Sequence, residues 1–186
     1  MLILYNAAVS KSGRYFVIYG PVGSGKSTLA KQISQRIGVP HIELDDIFWL
    51  PGWVGKPADE FRADVTATLS KYANGWVCDG NYYELRPLFL PLADFVVWLC
   101  PPFRVAFWRL FKRTFSNCWS GKLLWGMNRD IWRQAFFSHK SILFYQVTHW
   151  RAYCRMNKNL EEIPHRAIVI QLHSQKEADA FLSGLK

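Results

Sequence analysis

Gly20-Pro21-Val22-Gly23-Ser24-Gly25-Lys26-Ser27-Thr28 fits G-x-x-x-x-G-K-[ST], the pattern of a phosphate-binding P-loop. The flanks supply the context that this motif needs. Arg14 to Tyr19 is an apolar, β-branched and aromatic run that reads as a strand, and beyond the loop Leu29, Ile33 and Ile37 recur at helical spacing. In such a strand–loop–helix, the glycines let backbone N–H groups turn inward around phosphates, and the helix N-terminus adds a favourable dipole. Lys26 is placed to reach the β- and γ-phosphates of a nucleoside triphosphate, and the Ser27 hydroxyl to hold Mg²⁺.

Outward from the loop, strands and helices alternate. His41 to Leu44 reads as a second strand that opens onto Asp45 and Asp46, and Pro51, Gly52, Gly55 and Pro57 mark a loop. Phe61, Val65, Leu69 and Tyr72 share a helical face, and Trp76 to Cys78 forms a strand running into Asp79-Gly80. Asp94 to Cys100 is a continuous apolar run, as expected of a parallel strand covered on both faces, and Pro101-Pro102 ends it. A helix is expected through Val105, Trp108 and Phe115, a break at Ser116 to Asn128, and helix again over most of Asp130 to Leu160. Ala167 to Leu172 is the last strand; Ser174 and Glu177 then form a capping box for a final helix. The expected architecture is α/β, a five-stranded parallel sheet between two helical layers, with ligands at the carboxyl ends of the strands.

With 186 residues, half of them hydrophobic, the chain can bury a core as one domain spanning 1–186. Residues 1–12 read as a variable extension, because Met1 to Val9 has neither a basic n-region nor an A-x-A-like cleavage site. The longest apolar stretch falls far short of the roughly 20 residues of a membrane span. Cys78, Cys100, Cys118 and Cys154 form no CxxC pair and read as packing residues of a reducing cytosol. The net charge is +9 and is concentrated in one segment: from Arg104 to Lys158 there are eleven basic residues and a single acid, Asp130. That field attracts a polyanion, whether nucleotide phosphates, nucleic acid or an anionic membrane face.

Several side chains are candidates for chemistry. Asp79, at the end of a neighbouring strand, is placed to support the metal. Asp45 or Asp46 opens beside the γ-phosphate and can take the proton of an attacking hydroxyl, the other acting as a cap or turn residue. Phe48, Trp49, Trp53, Tyr82 and Tyr83 offer flat surface for a ring or serve as core. Arg109 and Arg113 are four apart, as are Arg129 and Arg133, so each pair is expected to share a helix face. A lid at about 104–135 built on them would aim guanidinium groups at the charge that develops during phosphoryl transfer. A membrane-surface role for Val105 to Phe115 ranks last, because Trp108 and Phe111 are residues that a helix packed on a sheet buries.

Gly20 to Thr28, Leu44-Asp45-Asp46-Ile47-Phe48-Trp49, Trp76-Val77-Cys78-Asp79-Gly80-Asn81-Tyr82 and Trp108-Arg109 with Arg113-Thr114 together resemble the adenylate-kinase-related P-loop proteins often labelled topology modulation proteins. The resemblance implies a nucleoside-monophosphate-kinase type of fold, ATP as donor, Mg²⁺ and an arginine-bearing lid. The chain departs from adenylate kinases where they carry Asp-Gly-Phe-Pro-Arg: Asp79-Gly80 is followed by Asn81-Tyr82-Tyr83, with no arginine before Arg86. The acid pair instead resembles small-molecule kinases of the uridine or shikimate type. The expected partners are a nucleoside triphosphate and a small hydroxyl acceptor; the alternative is an ATP-dependent nucleic-acid-binding protein.

Overall fold

Five parallel strands form the sheet: β1 (Tyr15–Tyr19), β2 (His41–Glu43), β5 (Trp76–Asp79), β6 (Phe95–Leu99) and β9 (Ile168–Leu172), in the order β2-β5-β1-β6-β9. Between β2 and β5, β3 (Trp49–Leu50) and β4 (Val54–Gly55) pair as a separate hairpin, and a short helix α4 (Arg86–Phe89) precedes β6. The computed structural model describes residues 13–125, 128–138, 141–155, 163 and 166–185. The extension 1–12, Lys140, Lys158 and the expected helix end at Leu160 lie outside the described residues.

Alternation along β1 shows how the layers are made. Phe16 and Ile18 face α1 (Lys26–Ile37) and α8 (Gln175–Gly184), packing with Leu29, Ile33 and Phe181. Val17 and Tyr19 face the opposite layer, where α3 (Ala58–Ser70) contributes Phe61, Val65 and Leu69. Phe16, Val17, Ile18 and Tyr19 are each at most 1% exposed, so the strand is covered on both sides. This is why it reads as an unbroken apolar run. Asp94, just before β6, accepts hydrogen bonds from the N–H groups of Arg14 and Tyr15 and fixes the register at the sheet's rear edge. The carboxyl ends of β1, β2 and β5 thereby converge at the front.

The second half departs from the expected arrangement in three ways. The helix α5 (Phe103–Ser120) continues through Ser116 to a left-handed Gly121, and the break is a small hairpin, β7 (Leu123–Leu124) with β8 (Asn128–Arg129). The region after Asp130 is two helices, α6 (Trp132–Phe137) and α7 (Ile142–Arg155). Arg129 therefore sits in β8 and Arg133 in α6, so the two do not share a helix face. Spacing of four residues places side chains together only when one helix spans both. Third, α5 buries Ala106, Leu110, Thr114 and Asn117, and leaves Trp108 at 55% and Phe115 at 45% exposure.

The reading of all four cysteines as packing residues is also corrected. Cys78 is buried, but Cys100, just past β6, and Cys154 in α7 form a disulfide across 54 residues of chain. Nothing in the spacing of two cysteines reveals that a helix from the lid region returns to the end of a core strand.

Candidate functional site

β1 ends at Gly20, and the chain turns over Pro21 to Gly25 into α1, whose first residue is Lys26. Gly25 holds a left-handed conformation (φ 99°) as the residue before the helix, leaving the first N–H groups of α1 without intrahelical partners. Those groups and the helix dipole make the loop an anion site. Gly23 is required sterically: a Cβ there would lie 2.4 Å from the Ala106 carbonyl oxygen of α5. The Ser24 hydroxyl is buried and has no hydrogen-bond partner among the described residues, where buried polar groups are usually satisfied. Lys26 is half-buried and makes no hydrogen bond or ion pair among the described residues. Thr28 is exposed on the first turn of α1.

Asp79, 2% exposed at the end of β5, stands beside the loop. It accepts a 2.6 Å hydrogen bond from the Ser27 hydroxyl and sits 2.6 Å from His41 Nε2 on β2. The oxygens of Ser27 and Asp79 thus meet at the mouth of the phosphate loop, a hard-oxygen pair suited to Mg²⁺. Glu43, at the end of β2, adds a second carboxylate to this corner. Burial raises its pKa, the Asp79 charge raises it further, and the hydrogen bond from Trp125 Nε1 at 3.2 Å works the other way.

Asp45 and Asp46 open the short helix α2 (Leu44–Phe48) and diverge there. Asp45 is half-buried and accepts a 2.7 Å hydrogen bond from the Tyr82 hydroxyl, whereas Asp46 is exposed. Burial raises the Tyr82 pKa, and the Asp45 charge adds to the rise, so the phenol stays protonated and donating. The preceding residue, Asn81, grips Gly20 from both sides: its Nδ2 donates to the Gly20 carbonyl at 2.6 Å and its Oδ1 accepts from the Gly20 N–H at 3.2 Å. Asn81 and His41 were not singled out from the sequence. An Asn after Asp-Gly is a weak signal, and a lone His opening a short strand is weaker.

The aromatic residues are partly shared with the core. Phe48 packs edge-on against Trp49 and Phe61 and tilts against Tyr82, while Trp49, Trp53 and Trp125 make successive T-shaped contacts. Trp53 and Trp125 both have positive φ, 60° and 44°, a conformation rare for bulky residues. The surrounding bonds hold them there. Asn128 of β8 accepts from Trp53 N–H and donates to the Leu50 carbonyl, and Trp53 Nε1 donates to the Arg129 carbonyl. The lid hairpin is therefore pinned over the segment that follows Asp45 and Asp46.

The four lid arginines part company. Arg109 Nη1 donates to the Ser24 carbonyl of the P-loop at 3.3 Å, and Nη2 donates to Gln175 Oε1 at 3.0 Å. Between them, Ser24, Thr28, Gln32, Leu99, Arg109 and Gln175 line a cavity of ≈ 260 Å³ flanking the loop. Arg113 keeps accessible surface yet is largely surrounded by protein; that burial lowers its pKa, while the charges of Asp130, Asp45 and Glu43 raise it. Arg129 and Arg133 are exposed, and among the described residues no hydrogen bond or ion pair ties either side chain to the P-loop. Arg86 is 1% exposed, packed over the rings of Tyr19, Tyr83 and Trp98, with no hydrogen-bond partner for Nε or Nη1 among the described residues.

A phosphate loop at the end of the central strand of a five-stranded parallel sheet, with Asp79 ending the adjacent strand and Glu43 ending the next one out, is the fold of the P-loop kinases. Comparison with known proteins agrees. A stretch of 57 residues is 53% identical to an adenylate kinase of Thermotoga neapolitana, covering 31% of this chain and 25% of that one. Another of 32 residues is 53% identical to a probable gluconokinase of Schizosaccharomyces pombe, covering 17% of each. The matched stretches thus span a quarter or less of these curated relatives. Shikimate kinase from Acinetobacter baumannii, solved in complex with shikimate, superposes over 91% of this chain and 89% of its own with a TM-score of 0.54 at 15% identity. No family model matches the chain.

Proposed function

We propose that this protein transfers the γ-phosphoryl group of ATP to a hydroxyl of a small acceptor, with Mg²⁺ as cofactor. The observation that carries the reading is the joining of the phosphate loop to a carboxylate by adjacent residues: Asn81 holds the loop at Gly20, and Tyr82 holds Asp45. The unpaired backbone N–H groups of the loop up to Ser27 bind the phosphates, and Lys26 reaches the β- and γ-phosphates. Mg²⁺ held by Ser27 and Asp79 would supply charge neutralisation between those phosphates. The acceptor oxygen attacks the γ-phosphorus, its proton passes to the Asp45 carboxylate, and the bond from phosphorus to the bridging β-phosphate oxygen breaks to release ADP. Arg109 and Arg113 stabilise the charge on the transferred group, and the ≈ 260 Å³ cavity beside Arg109 takes the nucleobase. Arg129 and Arg133 reach the site only if the lid closes further. Asp46 stays in solvent.

Coupled detection of ADP tests this against nucleosides, nucleotides, sugars and small hydroxy acids. Lys26→Ala is expected to abolish ATP turnover with an unchanged circular-dichroism spectrum. Asp45→Asn is expected to lower kcat by about 10²–10⁴ while nucleotide binding persists. Turnover unaffected by Lys26→Ala refutes the site assignment; turnover unaffected by Asp45→Asn alone removes the proton acceptor but leaves the phosphate site standing.

A further inference from the structure

Helix α5 carries its apolar residues on the wrong side for a monomer in water. Its inward face holds Ala106, Leu110, Thr114 and Asn117, two of them polar. Trp108, Phe111, Phe115 and Trp119 recur at i, i+3, i+7 and i+11 and form one stripe on the outward face. Trp108 is 55%, Phe115 45% and Trp119 79% exposed. The short helix α6 extends the patch, with Trp132 against Phe115 and Phe136 against Phe111, and with Ile131 at 54% and Phe137 at 84% exposure. An open groove lined by Phe103, Arg104, Val105, Phe107, Trp108 and Arg109 continues it along the start of α5. A contiguous apolar surface of this kind marks an interaction site.

The charge around the patch says what covers it. Arg104, Lys112, Lys122 and Arg133 are all exposed along it, and Lys112 Nζ lies 5.6 Å from the Trp108 ring centroid. The one acid of the segment, Asp130, is held by Asn117 from the inward face. A second copy of this chain meeting the patch across a two-fold axis would bring these like charges together. Nucleic-acid bases need free ring faces. Here each ring gives one face to a neighbour along the helix: Trp108 and Phe111 are 2° from parallel at 5.4 Å, and Phe115 and Trp119 are 10° from parallel at 6.3 Å. What remains outward is a continuous surface of aromatic carbon rimmed by cations, the composition of a helix that lies in a membrane interface. Among the described residues no helix is long and apolar enough to cross a membrane, so the contact is with its surface.

We infer that the outward face of α5 and α6 docks this protein on an anionic lipid surface. The test is flotation of the full chain with vesicles of phosphatidylcholine, alone or mixed with phosphatidylglycerol. The protein is expected to float with the mixed vesicles, remain behind with the neutral ones, and be released as salt rises. Trp108→Ser with Trp119→Ser is expected to weaken partition tenfold or more, and Lys112→Gln about fivefold, with thermal unfolding unchanged. Three results overturn the inference. One is a protein left behind by anionic vesicles at low salt. Another is a change in sedimentation coefficient in the tryptophan variants with vesicle binding intact, which makes the patch a dimer interface. The third is loss of single-stranded oligonucleotide binding in the same variants with vesicle binding intact.

Discussion

Replacing Gly23 by alanine measures how tightly the phosphate loop is seated against the lid helix. The new Cβ would lie 2.4 Å from the Ala106 carbonyl oxygen and 3.1 Å from Leu110 Cβ, where real Cβ contacts essentially never fall below 3.0 Å. The nearest atom is helix backbone, so α5 must lift or the loop must deform. Overpacking of this kind costs about 1–3 kcal/mol. The φ of 74° adds the left-handed penalty of an L-residue, about 1–2 kcal/mol. Reduced freedom of the unfolded chain returns about 0.4–1 kcal/mol. A net loss of roughly 2–4 kcal/mol follows, which for a chain of this length lowers Tm by about 5–15 °C. Because α5 carries Arg109, lifting it also parts the guanidinium from the Ser24 carbonyl, and ATP affinity falls with stability. Gly121→Ala is the control: φ is again positive, at 62°, but nothing lies within 4 Å of the added Cβ. It is expected to cost about 1 kcal/mol and to leave nucleotide binding alone. Urea unfolding and titration with a fluorescent ATP analogue read both variants. Equal unfolding midpoints for Gly23→Ala and Gly121→Ala would refute the described contact between loop and lid helix.

Two further outcomes follow from the site and its surroundings. Burial, assisted by Asp79, raises the Glu43 pKa, so the native state holds this proton more firmly than the unfolded chain does. Glu43 therefore costs stability as pH rises from the unfolded carboxylate value of about 4.3, and the penalty is complete above the native pKa. Glu43→Gln, which keeps an oxygen for Trp125 Nε1, is expected to unfold at higher urea than the parent near neutral pH, with the gap closing on acidification. A variant no more stable at neutral pH contradicts the burial argument. The Cys100–Cys154 bridge closes a span of 54 residues. Its reduction is expected to cost up to about 4 kcal/mol, read as a lower urea midpoint under reductant that the double serine variant does not show. An unchanged parent midpoint under reductant counts against the bridge.

The core of this fold was legible because its signals are local. A fully buried parallel strand must be apolar at every position, and β1 and β6 read that way without knowledge of their neighbours. The P-loop is likewise a contiguous motif between a strand and a helix. Asp79 was legible for a related reason, since the end of a strand beside that loop is where the topology collects side chains. The lid resisted because its rule is inverted. Periodicity found the stripe through Trp108 and Phe115, but an apolar stripe is normally turned inward, and α5 turns Thr114 and Asn117 inward instead. Arg129 and Arg133 carry helical spacing across a boundary where one residue belongs to a hairpin and the other to a helix. His41 on Asp79, Asn81 on Gly20 and the Cys100–Cys154 bridge join segments 38, 61 and 54 residues apart. Such pairings exist only after the chain has folded.

Asn81 and Tyr82 occupy consecutive positions, and the α-carbons of neighbouring residues are only about 3.8 Å apart. One amide of the backbone therefore separates the side chain that holds the phosphate loop from the one that holds Asp45. Under the proposed function, a triphosphate settled against Gly20 would brace the tyrosine on Asp45, and an acceptor bound at Asp45 would brace the loop in return. Thermodynamic reciprocity would then make each ligand tighten the other by the same factor.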